Sequence, residues 1–527
     1  MLCPFKPECP SRPAVPKIEQ RCIRPSEEHL AFPGSRFADA VFSIGRERGF
    51  LPRVDPERSL PASFSKLQEL LDVLPVHTNV AWGLKGLLAI PDAVAKAVND
   101  LPNYILQVET LQKDEHGKLL ALLFRGYTFV ASAYLLEPAY QTQVSGKFDG
   151  KYGKGRSSLP SQVAQPLVCV ADKLGQKPWL DYHYAYSLCN YVKRDPTLPS
   201  PEVWHWSNLD MACKFAGTSN EIGFIMLHVT INAYGAELIG SIEDSLLASR
   251  LQDEGKMLLG LEANMNAMIK INTVRTEMWK ASRSINYNDF RVFIMGITGN
   301  ESIFGDGVVY EGVEKWEGNS MQFRGQTGAQ DDIIPMQDIF SGVMSYYPDN
   351  KLTEYLLELR EYRPVVVQRF FDGLFKEIEA SKLHAFIANS ASCNAYLLCI
   401  LQEIYLFRNG HWQFVQRYIM ANTRHATATG GTPITSWLLN QIQCVLTYMD
   451  EVLRRIRDAS LPAGVKERVQ EIQLRHQERW AILTKQKDIL AYEQYDPDDV
   501  YEANKGNFDG NFDDKAGRKA AKLQRIK

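Results

Sequence analysis

Ten histidines are spread along the 527 residues, and three stand in apolar surroundings that could present an imidazole to a metal. His411 lies in LFRNGHWQFVQRYIM, with Leu406, Phe407, Phe414, Val415 and Ile419 around it at helical spacing. A neutral imidazole on a rigid, apolar element is what an iron porphyrin asks of its axial ligand. Arg408 comes three residues earlier, on nearly the same helix face. An arginine there can pair with a porphyrin propionate or with a carboxylate that supports the ligand. The same pattern also describes a core histidine beside a surface arginine. His228, in GFIMLHVTINAYG, and His183, in LDYHYAYSLCNY, read as core histidines on apolar helices.

Other chemistries leave no trace. The chain has no G-x-G-x-x-G, Walker A loop, H-E-x-x-H or G-x-S-x-G, which argues against dinucleotide enzymes, P-loop ATPases, zincins and α/β-hydrolases. Nine cysteines, an odd number with no C-x-x-C pair, fit neither a zinc site nor a disulfide framework. Scattered thiols suit a reducing compartment. The opening MLCPFKPECPSRPAVPK has no apolar h-region, and a cytoplasmic protein is expected. A net charge of -3 favours neither nucleic acid nor an anionic membrane.

The elements that must position these residues are helical. Segments such as FSKLQELLDVLP and ALLFRGYTFVASAYLL carry apolar residues at helical spacing, and strand-like alternation is scarce. One unbroken helix is expected from Ser249 to Lys280, one across Cys393–Phe407 and another through His411–Met420. The most apolar stretches are interrupted by His, Asn, Gln or Glu and read as buried helices rather than membrane spans. SGKFDGKYGKGRSSLPSQ, residues 145–162, reads as a linker. The expected organisation is all-α: a disordered segment 1–36, a small helical domain 37–144, the linker 145–162, a large helical domain 163–460, and a charged helix with a solvated tail over 461–527. Gly-rich stretches at GITGNESIFGDG, FRGQTGAQDD and ATATGGTP are candidate site-lining loops.

Seven segments in order resemble the indoleamine 2,3-dioxygenase family, especially its fungal branch: RGFLPRVDPERSLP, SLPSQVAQPLVCVADKLGQKPWLDYHYAYSLCNYVKRDP, GDGVVYEGV, FRGQTGAQDDIIPMQDIF, YLLELREYRP, NGHWQFVQRYI and ATGGT. The resemblance spans about residues 37 to 445. It implies one haem b per chain, bound between helices of the larger domain, with the small domain covering the distal side. It implies His411 as the iron ligand and Arg408 paired with Asp338 on the proximal side. Arg291 matches the arginine that binds the substrate carboxylate, and Tyr287 the aromatic that packs on the indole. Thr327 and Gly328 match the loop on the distal haem face. Thr429, Gly430 and Gly431 match the loop that closes over substrate. Met226 or Leu227 falls where the animal enzymes carry a distal serine, with His228 immediately after.

The implied reaction inserts both atoms of dioxygen across the indole C2=C3 bond of L-tryptophan, giving N-formylkynurenine, with indole substrate and dioxygen as the only partners of an expected monomer. Several positions depart from the family. Asn286 replaces a pocket aromatic, Asp331 and Asp332 replace an uncharged polar pair, and PVVVQR stands where an arginine-rich PPxHR pattern is expected. These departures keep two alternatives open: a related haem enzyme acting on a modified indole in secondary metabolism, and a haem-binding member without turnover.

Overall fold

The computed structural model describes residues 34–146, 149–348, 351–425, 428–431 and 434–492. Most of the segment 1–36 expected to be disordered, and the tail beyond 492, lie outside them.

The N-terminal part supplies α1 (Ser65–Val73), α2 (Ala93–Asn99), α3 (Ile105–Glu109) and α4 (Lys113–Val144). From Leu120 to Tyr140 nearly every residue of α4 is buried, as a helix apolar on all sides requires. Two buried charges tie it to the chain around it. Arg125 donates to the carbonyls of Glu57, Arg58 and Cys189. Glu137 pairs with Arg156 at 2.7 Å and accepts from the Val94 amide at 3.0 Å. By length and composition α4 and the stretch Ser219–Leu251 could cross a membrane, yet 89% of α4's most apolar window is buried within the chain.

After α4, the stretch 145–162 ends in a short strand and the first turn of α5 (Ser161–Leu174), which packs along α4. Strands are few and short. β1 (His77–Asn79) pairs with β2 (Leu84–Lys85); β3 (Ser158–Leu159) runs parallel to a later strand; β4 (Tyr191–Lys193) pairs antiparallel with β5 (Leu209–Met211); β6 (Val308–Tyr310), the partner of β3, also pairs antiparallel with β7 (Ser320–Met321). His183 sits not in a long helix but in a single π-helical turn, Tyr182–Tyr186. The Asp181 carboxylate starts that turn by accepting from the Tyr184 and Ala185 amides.

The larger part begins with α6 (Ser219–Ala233), α7 (Gly235–Leu251) and α8 (Glu254–Arg275). The unbroken helix expected over Ser249–Lys280 is in fact three pieces. Gln252 adopts a left-handed φ of 54° that ends α7. Asp253 then caps α8 by accepting from the Lys256 amide at 3.0 Å. Neither stop carries a glycine or proline, so the sequence pattern runs through both. α9 (Met278–Ala281), α10 (Asn288–Arg291) and α11 (Glu301–Phe304) are single turns; α12 (Ile333–Ser341), α13 (Lys351–Arg360), α14 (Val365–Ser381) and α15 (Leu383–Ala388) follow.

The opposite departure occurs at His411. The two helices expected there are one, α16 (Ala391–Phe414), which runs on into a π-helical turn, Val415–Met420. Ser390 caps its start by accepting from the Cys393 amide at 3.1 Å. α17 (Ile434–Arg455) and α18 (Ala463–Tyr492) complete the described residues, and α16 lies against α8, α12, α17 and α18. His411 therefore stands in the last turn of a helix packed against several others. One contiguous apolar core runs from Phe37 to Leu483.

Candidate active site

His411 is half-buried near the end of α16. Burial pushes its imidazole down to about 4, and the positive charges that His228 and Arg275 would place beside it act the same way. It is therefore a neutral base at physiological pH, the form in which histidine binds a metal. One turn earlier, Arg408 is 5% exposed and donates to Asp338 of α12 at 2.5 Å and to the Gln441 carbonyl at 2.9 Å. Tyr347 donates to the same carboxylate of Asp338. Arg275, at the end of α8, lies over Phe407 and Phe414. Its guanidinium occupies the space a side chain at position 410 would need, so Gly410 is what admits it.

Facing this from α6 is a stripe at i, i+4 and i+8: Phe224, His228 and Asn232. Phe224 packs its ring 4.9 Å from Tyr287 and 5.6 Å from Phe290. A Cβ on Gly328 would lie 3.7 Å from the His228 ring, so the imidazole borders the Thr327–Gly328 loop. Thr327 caps the short turn Gly328–Gln330, with Gln330 returning the bond as a capping box. The His228 ring touches this loop, and Met226 and Leu227, just before it in α6, are wholly buried. Behind it, Tyr182 donates to Asp331 at 2.6 Å, Asn232 donates to Asp331 at 2.6 Å, and His228 Nδ1 lies 3.4 Å from the Tyr182 hydroxyl.

Arg291, in α10, is fully buried. Its guanidinium lies 3.3 Å from the hydroxyl of Tyr152, which donates to Asn288 at 3.1 Å. His425 borders the same place: its ring is 5.4 Å from that of Tyr152, and its Nε2 is 2.8 Å from the Asn300 side-chain oxygen. Burial, and then the charge of Arg291, hold His425 down at about 3. Tyr287 stands one turn before Arg291, its hydroxyl pushed up to about 12 by burial.

The three Gly-rich stretches meet backbone to backbone. The Gly296 amide donates to the Thr429 carbonyl at 2.8 Å, and the Thr429 hydroxyl donates to the Gln326 carbonyl at 2.7 Å. A Cβ on Gly325 would come 2.3 Å from both Gly296 N and Thr429 O. Gly431 has φ +90°, and a Cβ there would lie 2.3 Å from the Thr298 carbonyl. Gly430 lies against Tyr355 and Thr327. The structure thus gathers His411, Arg408 and Asp338 on one side, and Thr327, Gly328, Thr429, Gly430 and Gly431 in one loop junction. Tyr287 packs on the Phe224 ring, and Arg291 lies beside Tyr152.

Sequence reading missed Tyr152, His425, Arg275 and the Tyr182–Asp331–Asn232 chain. Tyr152 falls in the Gly- and Lys-rich stretch, where no periodicity marks it. The stripe of Phe224, His228 and Asn232 was legible as an i, i+4 repeat. Among the described residues no three His, Cys, Asp or Glu side chains converge as a metal cage. A neutral His411, with aromatic rings and the Arg275 guanidinium beside it, fits a haem, whose macrocycle supplies the remaining iron donors and whose propionates need cations.

Comparison with known proteins gives one family. The family model described as indoleamine 2,3-dioxygenase matches residues 38–461. Indoleamine 2,3-dioxygenase nanC of Aspergillus nanangensis is 27% identical over 80% of this chain and 96% of its own length. Indoleamine 2,3-dioxygenase 1 of Rattus norvegicus is 25% identical over 54% of this chain and 71% of its own length. A protein named myoglobin from Haliotis diversicolor is 24% identical over 68% of this chain and 86% of its own length.

Proposed function

The chain belongs to the indoleamine 2,3-dioxygenase family, a family of haem dioxygenase enzymes, and from that premise we propose that it inserts both atoms of dioxygen across the C2=C3 bond of an indole amino acid. L-tryptophan, giving N-formylkynurenine, is the simplest such substrate; a modified tryptophan of secondary metabolism is the close alternative. The observation that carries the reading is a neutral His411 at the end of α16 and a fully buried Arg291 in α10, joined by the aromatic chain Phe414, Tyr418 and Tyr287.

In this reading His411 holds haem b through one ring nitrogen, and the haem supplies the iron that activates dioxygen toward the indole. Arg275, lying over Phe407 and Phe414, is a cation available to its propionates. The ion pair of Arg408 with Asp338, braced by Tyr347, fixes the last turn of α16 and so the direction of the imidazole. Arg291 receives the substrate carboxylate, since a guanidinium fork matches a carboxylate with two parallel bonds. Tyr287 and Phe224, packed on each other, form an aromatic wall for the indole ring. The Thr429–Gly431 loop, stitched to Gln326 and Gly296, excludes water from above. Orientation of two bound reactants is the protein's main contribution to rate.

The test is incubation of haem-loaded, reduced protein with L-tryptophan under isotopically labelled dioxygen. A ring-opened product carrying two labelled atoms supports the reading. Haem binding without ring opening, across tryptophan and a panel of substituted tryptophans, would favour a haem-binding member without turnover, a reading supported by the similarity to the Haliotis protein named myoglobin.

A further inference from the structure

We propose that His228 is a substrate-selecting residue that accepts a hydrogen bond at Nε2 from the ring N–H of the indole, its proton being held on Nδ1 by the chain Asp331–Tyr182. The proposal rests on the function inferred above and adds the group that reads the indole nitrogen.

The direction of every bond in this chain follows from donor and acceptor chemistry. A carboxylate can only accept. Asp331 takes the Tyr182 hydroxyl proton at 2.6 Å, the Asn232 amide at 2.6 Å and the Ile333 backbone amide at 2.9 Å. With its one proton committed to Asp331, the Tyr182 oxygen can only accept from its other neighbours. Those are Asn232 Nδ2 at 3.1 Å and His228 Nδ1 at 3.4 Å. A hydrogen bond between them then needs the hydrogen on Nδ1, and a neutral imidazole has one hydrogen only. Nε2 is left with a bare lone pair. Burial holds His228 below its ordinary value, so the ring stays neutral near pH 7.

The ring is also placed to use that lone pair. Its Cε1 edge, next to Nε2, borders Gly328, and its helix neighbour Phe224 packs against Tyr287. A flat indole lying against this aromatic pair with its carboxylate at Arg291 carries a single N–H donor. Asp331 is one of the positions at which the sequence departs from its family, and His228 directly follows Met226 and Leu227, the residues that fall where the animal enzymes carry a distal serine. The geometry makes them one device, since without Asp331 the tyrosine proton could turn to His228 and reverse the tautomer.

The test compares tryptophan with its benzothiophene analogue, in which sulfur replaces the ring N–H with little change of shape. Dissociation constants come from the shift of the haem absorption band in ferric holoprotein, without turnover. Wild type is expected to bind tryptophan about tenfold more tightly than the analogue, the size of one buried hydrogen bond. His228→Phe, which keeps a ring without an acceptor, should bring the two within about twofold. Tyr182→Phe, which leaves His228 but frees its tautomer, should reduce the ratio to about threefold. A purely structural role would weaken both ligands alike and leave the ratio unchanged. A wild-type ratio near one, or a ratio still near tenfold in His228→Phe, overturns the hydrogen bond, and a ratio still near tenfold in Tyr182→Phe overturns the tautomer chain, while the haem site is left intact. A six-coordinate, low-spin ferric spectrum in wild type that is lost in His228→Phe would put Nε2 on the iron and overturn it as well. A wild-type haem band that ignores tryptophan altogether overturns both this proposal and the function on which it rests.

Discussion

Arg408 and Asp338 form an ion pair of 2.5 Å between α16 and α12, one helical turn from His411 and almost closed to solvent. A buried pair of this kind stabilises little relative to an apolar pair of the same shape, but removing one partner strands the other charge. Asp338→Ala leaves the Arg408 guanidinium buried with the Gln441 carbonyl and Tyr347 as its remaining contacts. The expected loss is about 3–5 kcal/mol, read as a lower urea midpoint of the apoprotein, together with weaker haem retention. Asp338→Asn should lose less. A midpoint unchanged in Asp338→Ala would mean that the helix end is held by other contacts.

His411→Ala is expected to abolish stable haem binding, because it removes the protein's bond to iron. His183→Ala should retain haem while unfolding earlier, since His183 Nε2 is bound to Asp332 at 2.7 Å in a fully buried network with Arg363. Haem content by absorption and unfolding by circular dichroism separate the two. Full haem occupancy in His411→Ala would remove the assigned ligand.

Truncating Arg291 to Ala should leave haem content intact and weaken the use of tryptophan by about two orders of magnitude, the effect of losing a charge-assisted contact worth roughly 3 kcal/mol. Tryptamine, which has no carboxylate, should be affected much less. Equal losses for both substrates would mean that Arg291 serves the fold alone.

The glycine junction predicts a steep position dependence. Gly325→Ala and Gly431→Ala each push a methyl to within 2.3 Å of backbone atoms, and Gly431 adds a φ of +90° that alanine resists. Both should destabilise by at least 1–2 kcal/mol and raise the apparent KM for the amino acid. Gly255→Ala is the control. Its Cβ would have only the Asp253 carboxylate near, at 3.5 Å, early in α8, so a neutral or slightly stabilising effect is expected.

His425 gives a pH dependence with a definite sign. Its folded value, about 3, lies below the ordinary 6.5, so below pH 6.5 the unfolded chain binds a proton that the folded chain refuses. Its contribution to stability is complete above about 6.5 and falls as pH drops from there toward 3, by at most about 1.4 kcal/mol per pH unit. Urea midpoints measured between pH 7.5 and 5 should decline less in His425→Gln than in wild type. Equal slopes would show that His425 titrates as it does in water.

Much of this protein is legible in its sequence. The helical periodicity, the scarcity of strands and the run LFRNGHWQFVQRYIM are local patterns, and local patterns are what sequence spacing encodes. They bring out the all-α class, His411 and its neighbour Arg408. The ordered motifs from RGFLPRVDPERSLP to ATGGT carry the family, and with it Arg291 and Asp338. Helix ends are less legible. Gln252 stops α7 by adopting a left-handed backbone without a glycine, and Gly410 sits inside α16 without breaking it because the Arg275 guanidinium takes the space.

What only the tertiary structure decided are relationships between residues distant in the chain. Tyr182, Asp331, Asn232 and His228 carry no joint signal in sequence, because Tyr182 and Asp331 are separated by 149 positions. Tyr152 reaches Arg291 from a stretch that reads as a linker. The burial of both groups, and so the tautomer of one histidine and the basicity of another, follows from which helices close over them. Proton positions and desolvation depend on atoms brought together in space, and no spacing along the chain fixes those.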